Sequence, residues 1–416
     1  MTQDEVISNF LESPHSYVNH LIRTNELRHE ARVWLGNYLL QNANPEYAEF
    51  SWIFLMPWYL SIDFTEGACN LDCRMCCGKE DRKNLKFAYV SRKEFRQILS
   101  HVPTASMIAL PSNSSDPMMN PDILPILDIL RRNRLPFNTV CNGHLLTPKI
   151  ISAIASHPFH VEFNVSIDSH NPDKYREIRR GELQPVIDNM LALKEERDKH
   201  PESGLSINVM MAGMEDNIED LTGMVHLCHQ IGADKCKVQH LIGDNTPGDF
   251  FLNHHWQEAM FEAFVEGRRL GVELIFPRDA LLQMEANLDE ILIHENVAID
   301  NIKSNEDEEK EHLKNPEPIG SDTPCSISQQ SLPPKKPKSP VVCSRFDNLH
   351  IRFGGGMAPC CHVDFPTTLN IFDKPAYQNM DFLRYRLLLF RGDVFDDCHN
   401  AINCHCMQEY RIKKGS

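Results

Sequence analysis

Between residues 57 and 275 the chain alternates strand-like and helix-like segments, and its strands are two-faced. Candidate strands are 59–65 (YLSIDFT), 105–110 (ASMIAL), 137–141 (FNTVC), 160–168 (HVEFNVSID), 204–211 (GLSINVMM) and 235–241 (KCKVQHL), each followed by a helical stretch. Six such repeats predict a parallel sheet, as an α/β barrel or an open sheet. Successive side chains on a strand point to opposite faces. In 160–168, Val161, Phe163, Val165 and Ile167 alternate with His160, Glu162, Asn164, Ser166 and Asp168. Leu60, Ile62 and Phe64 alternate with Tyr59, Ser61, Asp63 and Thr65, and Leu205, Ile207 and Val209 with Ser206, Asn208 and Met210. Parallel strands covered on both faces read as nearly continuous apolar runs. These strands instead pack one face on helices and keep a polar face for a solvated interior. The pattern predicts an α/β fold built on a partial (β/α)6 TIM-like barrel with a wet interior.

Other segments flank this region. Residues 1–56 carry apolar residues at helical spacing, in EVISNFLE and the longer HLIRTNELRHEARVWLGNYLL, and predict an N-terminal helical extension that acts as a packing cap or partner surface. Asn120-Pro121 and Thr147-Pro148 each place a capping side chain before a proline at a first helical position. Residues 276–340 read as a helix and an acidic, proline-rich linker, with Glu306-Asp307-Glu308-Glu309 followed by seven prolines between Pro316 and Pro340.

The balance of 42 basic against 58 acidic residues, a net −16, argues against a nucleic-acid or anionic-membrane binder. The longest apolar run, Trp52 to Leu60, is nine residues, where a membrane-spanning helix needs about 20. The acidic start MTQDEVISNF lacks a signal-peptide layout, and the expected location is cytoplasmic.

Fourteen cysteines are many for such a chain, and ten of them are clustered: four within Cys69–Cys77 and six within Cys343–Cys406. In a reducing compartment, clusters point to metal ligation. Cys141, Cys228, Cys236 and Cys325 stand alone and read as small buried hydrophobes. Cys69, Cys73 and Cys76 form C-x3-C-x2-C directly after the first strand. Three thiolates on one short loop can bind three irons of a 4Fe–4S cluster and leave the fourth iron open to a substrate's amino and carboxylate groups. The alternative is zinc, with Cys77 as fourth ligand, although adjacent cysteines make an awkward chelate.

This loop resembles the signature of the radical S-adenosylmethionine (SAM) superfamily, and the resemblance extends over about residues 57–270. It implies an enzyme that cleaves SAM reductively to a 5′-deoxyadenosyl radical, with Cys69, Cys73 and Cys76 on the cluster. Met75 stands where the family has an aromatic residue beside the adenine. Ser114-Ser115-Asp116-Pro117 stands where the family has Gly-Gly-Glu-Pro, so Ser115 and Asp116 would face the methionine amino group. Asn142-Gly143 matches the family's turn after the third strand. Ser166 and Asp168 fall where the family makes ribose and carboxylate contacts, Arg179 or Arg180 would pair with the cofactor carboxylate, and Asn208 lies on the polar face of the fifth strand.

The second cysteine group, within 341–416, is similar to the small α+β auxiliary-cluster domains of the same superfamily, the SPASM and twitch domains. Cys343, a strand at 348–353, a Gly354–Gly356 turn, Cys360 and the pair Cys404 and Cys406 imply a second 4Fe–4S cluster. Cys361 or Cys398 could replace one ligand, His362 and His405 could also ligate, and a zinc ribbon is the alternative. Three functions follow. The first is oxidation of a small molecule or peptide side chain, with an electron donor such as a flavodoxin or ferredoxin. The second is peptide maturation by crosslinking or epimerisation, with Cys141, Cys228 or Cys236 as hydrogen donor. The third is a non-enzymatic, metal-stabilised binding protein.

Overall fold

The computed structural model describes residues 1–42, 44–76, 86–111, 115–240, 254–277, 348–358 and 369–391. All six expected strands are present and parallel: β1 (Tyr59–Ile62), β4 (Met107–Leu110), β5 (Phe137–Cys141), β6 (Val161–Ser166), β7 (Leu205–Gly213) and β8 (Lys235–His240). Two short strands, β2 (Thr65–Glu66) and β3 (Ala88–Tyr89), pair separately beside β1. β9 (Glu273–Ile275) extends one edge of the large sheet. The other edge is extended by β10 (Asn348–Ile351) and β11 (Met357–Ala358). The order is β11-β10-β1-β4-β5-β6-β7-β8-β9, parallel throughout except for the β10–β11 hairpin. Gly354 and Gly355 turn that hairpin at φ 79° and 88°, values that only glycine adopts without strain.

The crossovers run through helices α5 (Arg92–His101), α6 (Ile123–Arg132), α7 (Pro148–Ala155), α8 (Pro172–Arg179), α9 (Leu183–Asp198), α10 (Leu221–Ile231) and α11 (His254–Leu270). They cover the apolar strand face, where Leu60, Ile62, Ile108, Phe137, Phe163 and Val209 are fully buried. Each such side chain contributes about 1.5–3 kcal/mol by leaving water. Register puts polar residues together on the opposite face. His350, Ser61 and Ala109 are in register across one side, and Asn138, Glu162 and Ser206 across the other. Asn164 stands beside Asn208, and Met210 lies between Ser166 and Lys237.

The N-terminal extension is helical as expected: α1 (Gln3–Glu12), α2 (Pro14–Arg23), α3 (Glu30–Asn42) and the short α4 (Trp52–Leu55). The stretch 20–40 is not one helix, however. Asn25 adopts a left-handed conformation at φ 61°, and residues 26–28 form a 3-10 turn. Asparagine tolerates that conformation better than most residues. The break turns Arg28 inward, where its guanidinium donates to the carbonyls of Leu99, Val102 and Ala105. Those carbonyls lie at the end of α5 and just before β4, so the extension closes the barrel end opposite the cysteine loop. A second expectation also shifts. Asn120 does not cap α6, which begins at Ile123. Its side chain donates to Val90 O and Phe64 O and accepts from the Asp122 amide, so it ties the β1 and β3 ends together. Thr147 does cap α7, accepting from Ile150 N at 3.4 Å. α12 (Met380–Arg391) follows the β10–β11 hairpin in the chain. No helix among the described residues is long and apolar enough to cross a membrane.

Candidate functional site

The cysteine loop leaves the C-terminal end of β1 and is held there by neighbours other than its thiols. The Asp116 amide donates to Ala68 O at 3.1 Å, and the Arg74 amide donates to Ile178 O at 2.8 Å. The Arg74 guanidinium pairs with Glu177 at 2.8 Å and with Asp216. Asn142 Nδ2 donates to Asn70 Oδ1 at 2.7 Å and approaches Cys69 Sγ at 3.8 Å. Arg179 Nη1 reaches Cys73 Sγ at 3.9 Å. Cys73 is buried, while Cys69 and Cys76 are half-buried, and none of the three is in a disulfide. Burial pushes the Cys73 thiol up, and the Arg179 guanidinium pulls it back.

The other predicted residues gather around the same end of the barrel. Asp116 is buried, and its two carboxylate oxygens accept from the amides of Asn142 (2.8 Å) and Met118 (2.9 Å). Burial raises its pKa, and those two bonds lower it. Ser115 donates to Thr65 O at 2.5 Å, which joins this segment to the start of the loop. Asp116 and Ser115 therefore work first as anchors between strand ends. Ser166 ends β6 half-buried, and Met75 is half-buried within the loop. Asp168 is fully buried and faces Arg179 Nε at 2.5 Å. Asn208 is fully buried and donates to Asn164 Oδ1 at 3.3 Å. Ser114 and the auxiliary-domain residues Cys343, Cys360, Cys361, His362, Cys398, Cys404, His405 and Cys406 lie outside the described residues.

Gly143 has φ 81°, and a Cβ there would stand 2.8 Å from Val165 Cγ2 and Val186 Cγ1. Gly143→Ala is therefore expected to cost about 2–4 kcal/mol, from a left-handed backbone and an overpacked contact. A chemical denaturation midpoint that stays at the wild-type value would contradict this.

Below the loop, the polar face is a connected network. Lys237 pairs with Glu162 and donates to Asn164 Oδ1 at 3.1 Å. Asn138 donates to the Tyr59 hydroxyl at 2.9 Å. His350 lies between Ser61 Oγ (Nδ1, 3.0 Å) and Asp63 Oδ1 (Nε2, 3.1 Å). The side chains of Glu162, in the central strand β6, and Asp63, just past β1, keep 29% and 21% exposure, so water reaches this interior. Sequence reasoning missed Lys237 and His350. Lys235, Lys237 and Gln239 do alternate with Cys236 and Val238, so the signal for Lys237 was present. His350 carried none, because its partner strand is distant in sequence.

Three of the lone cysteines take the other face, and Cys325 lies outside the described residues. Cys141 is in register with Val165, and Cys236 with Val209, both on the helix-covered side. Cys228, on α10, contacts Cys236, and all three thiols are buried. None is placed to give a hydrogen to a ligand in the polar interior, which corrects their reading as hydrogen donors.

The donor set suits an iron–sulfur cluster. It comprises three soft thiols on one loop, two of them approached by an amide or guanidinium N–H of the kind that stabilises ligand sulfur. Among the described residues no three His, Cys, Asp or Glu side chains converge as the ligands of one metal ion would. Cluster ligands need not converge in that way, since each binds a different iron.

Residues 66–228 match the radical SAM superfamily. A probable GTP 3′,8-cyclase of Methanococcus vannielii is 24% identical over 188 residues, which is 45% of this chain and 59% of that protein. One of Methanocaldococcus jannaschii is 23% identical over 166 residues, 40% of this chain and 53% of that protein. The chain thus spans between half and three-fifths of these relatives. SuiB of Streptococcus suis, solved with its precursor peptide SuiA, superposes with a TM-score of 0.57 at 14% identity, covering 88% of this chain and 73% of that one. Native anSMEcpe with bound AdoMet superposes at 0.50 and 11% identity, covering 83% and 87%. These likenesses carry the fold. With a C-x3-C-x2-C loop at the end of β1, a six-strand parallel barrel beneath it and the family match over this part of the chain, residues 66–228 carry a radical SAM domain.

Proposed function

We propose that the chain is a radical SAM oxidoreductase that removes hydrogen from a small molecule or a peptide side chain. The observation that carries this reading is the placement of Cys69, Cys73 and Cys76 directly above a polar, water-reachable barrel interior. Bound there, a 4Fe–4S cluster and SAM supply a one-electron cleavage of the sulfonium and a carbon-centred radical. This chain's residues do the rest. The three thiolates would hold the cluster, and Met75 would line the adenine's side of the loop. Ser115, Asp116, Asn142, Ser166, Asp168 and Asn208 surround the cofactor's place at the strand ends, where α/β folds bind ligands. Glu162, Asn164, Lys237 and the Ser61–His350–Asp63 row orient the substrate and bind or release its protons.

Cys343, Cys360, Cys404 and Cys406 would hold a second cluster that takes the remaining electron of the oxidation. A flavodoxin or ferredoxin would supply the first. SuiB, a relative in fold, was solved with a precursor peptide, which supports testing peptide side chains first. Epimerisation loses support because Cys141, Cys228 and Cys236 face away from the interior.

The anaerobically reduced protein should form 5′-deoxyadenosine from SAM and lower the mass of its substrate by two hydrogens. Failure to form deoxyadenosine would sink the enzyme reading. Unchanged mass with deuterium uptake at a substrate α-carbon in heavy water would replace oxidation by epimerisation.

A further inference from the structure

Arg179 ends α8, and its side chain is 12% exposed beneath the cysteine loop. Nε of its guanidinium stands 2.5 Å from Oδ2 of the fully buried Asp168. Nη1 points at Cys73 Sγ, 3.9 Å away. Asp168 is itself fixed. Its Oδ1 accepts from the Ala212 amide at 2.7 Å, and its carbonyl accepts from Asn217 Nδ2 at 2.9 Å. A chain of directed contacts therefore runs from β7 through Asp168 and Arg179 to a sulfur of the loop. A guanidinium keeps its proton even when buried, so the charge aimed at Cys73 is permanent.

From this arrangement we infer that Arg179 is a positioning residue for the redox step: held by Asp168, it hydrogen-bonds the Cys73 thiolate and raises the reduction potential of the cluster on the loop. The inference rests on the proposed cluster at Cys69, Cys73 and Cys76. Reduction adds one electron from an external donor, and the added charge spreads over irons and sulfurs. A hydrogen bond to a ligand sulfur and a nearby cation both favour the more negative state. The buried setting strengthens both effects. Asp168 opposes them, but its carboxylate meets a different edge of the guanidinium from the one that faces the sulfur. The ion pair thus presents its positive side to the cluster. The reading of Arg179 as a partner of the SAM carboxylate differs in where it acts, since it predicts an effect on SAM binding and none on a SAM-free cluster.

The test is an EPR-monitored redox titration of the full chain, reconstituted anaerobically and without SAM. The loop's signal is the one absent from the Cys69/Cys73/Cys76→Ala variant. Arg179→Gln should move its midpoint to more negative potential with iron content retained. Asp168→Asn, which removes the opposing charge, should move it to more positive potential. Arg179→Lys should fall between wild type and Arg179→Gln. A residue that merely supports the loop would not move the two midpoints in opposite directions. An unchanged midpoint in Arg179→Gln with full iron, or a change confined to SAM affinity, overturns the inference. If Arg179→Gln loses its iron, Asp168→Asn decides, and a midpoint that does not rise overturns it equally. A wild-type chain with no loop signal would instead remove the cluster reading itself, a separate and recognisable result.

Discussion

Replacing Cys69, Cys73 and Cys76 together by alanine should lower iron from about eight to about four atoms per reconstituted chain, if each site holds a cubane. Formation of 5′-deoxyadenosine should fall to the level of a control without SAM. The loss is expected to be complete because the open iron exists only on a cluster with three protein ligands. The fold should survive, since the loop's anchors are the Asp116 and Arg74 amides, the Arg74 ion pairs and the Asn142–Asn70 bond, none of which uses a thiol. Cys73 is the buried member, and losing its sulfur costs about 1 kcal/mol by analogy with other small core truncations. Unchanged circular dichroism with halved iron is the expected pair of results. Retained deoxyadenosine formation would remove the loop from the chemistry.

Arg28→Ala should lower stability sharply, although the residue lies outside the site. Three carbonyls accept from that guanidinium: Val102 at 2.8 Å, Ala105 at 3.0 Å, and Leu99. Leu99 lies in the last turn of α5, where a cation also meets the negative end of the helix dipole. Burial depresses the Arg28 pKa to about 10, because little water shares the site. Alanine would orphan the Leu99 and Ala105 carbonyls at about 1–3 kcal/mol each and leave Val102 O only the Ala105 amide at 3.1 Å, so about 2–4 kcal/mol overall, with partial relief from entering water. Arg28→Lys should recover only part, because an ammonium cannot span three divergent carbonyls. A urea midpoint in Arg28→Ala equal to wild type would show that the extension is not clamped to the barrel by this residue.

Period-two alternation made the barrel legible, because one polar and one apolar face are written into each strand and packing had no reason to override them. The three loop cysteines were legible for a different reason, being local in sequence. What stayed hidden was long-range. The placement of β10 beside β1 depends on residues far apart in the chain, so no window of sequence shows His350 joining Ser61 and Asp63. The helical spacing of residues 20–40 was real, yet it could not reveal that Asn25 breaks it to turn Arg28 inward. Asn120 looked like a helix cap because its neighbours fit one, and the β1 and β3 ends competed successfully for its amide. Asp116 was legible as a site residue and illegible as an anchor, since its partners are backbone amides.

The pairing of β1 with β10 also sets an order of events during synthesis. Ser61 and His350 are 289 residues apart, so at about 5–20 residues per second β10 leaves the ribosome roughly 15–60 s after β1. For that interval β1, which carries the cysteine loop, has β4 on one side and nothing of its own chain on the other. Asp63, just past β1 and six residues before Cys69, waits as long for the Ile351 carbonyl that accepts its amide at 2.9 Å. Iron delivered to the nascent loop would sit on a half-paired strand with an open edge. Delivery after residue 351 has emerged would meet a finished one, so the strand that bears the loop is completed only by the distal part of the polypeptide.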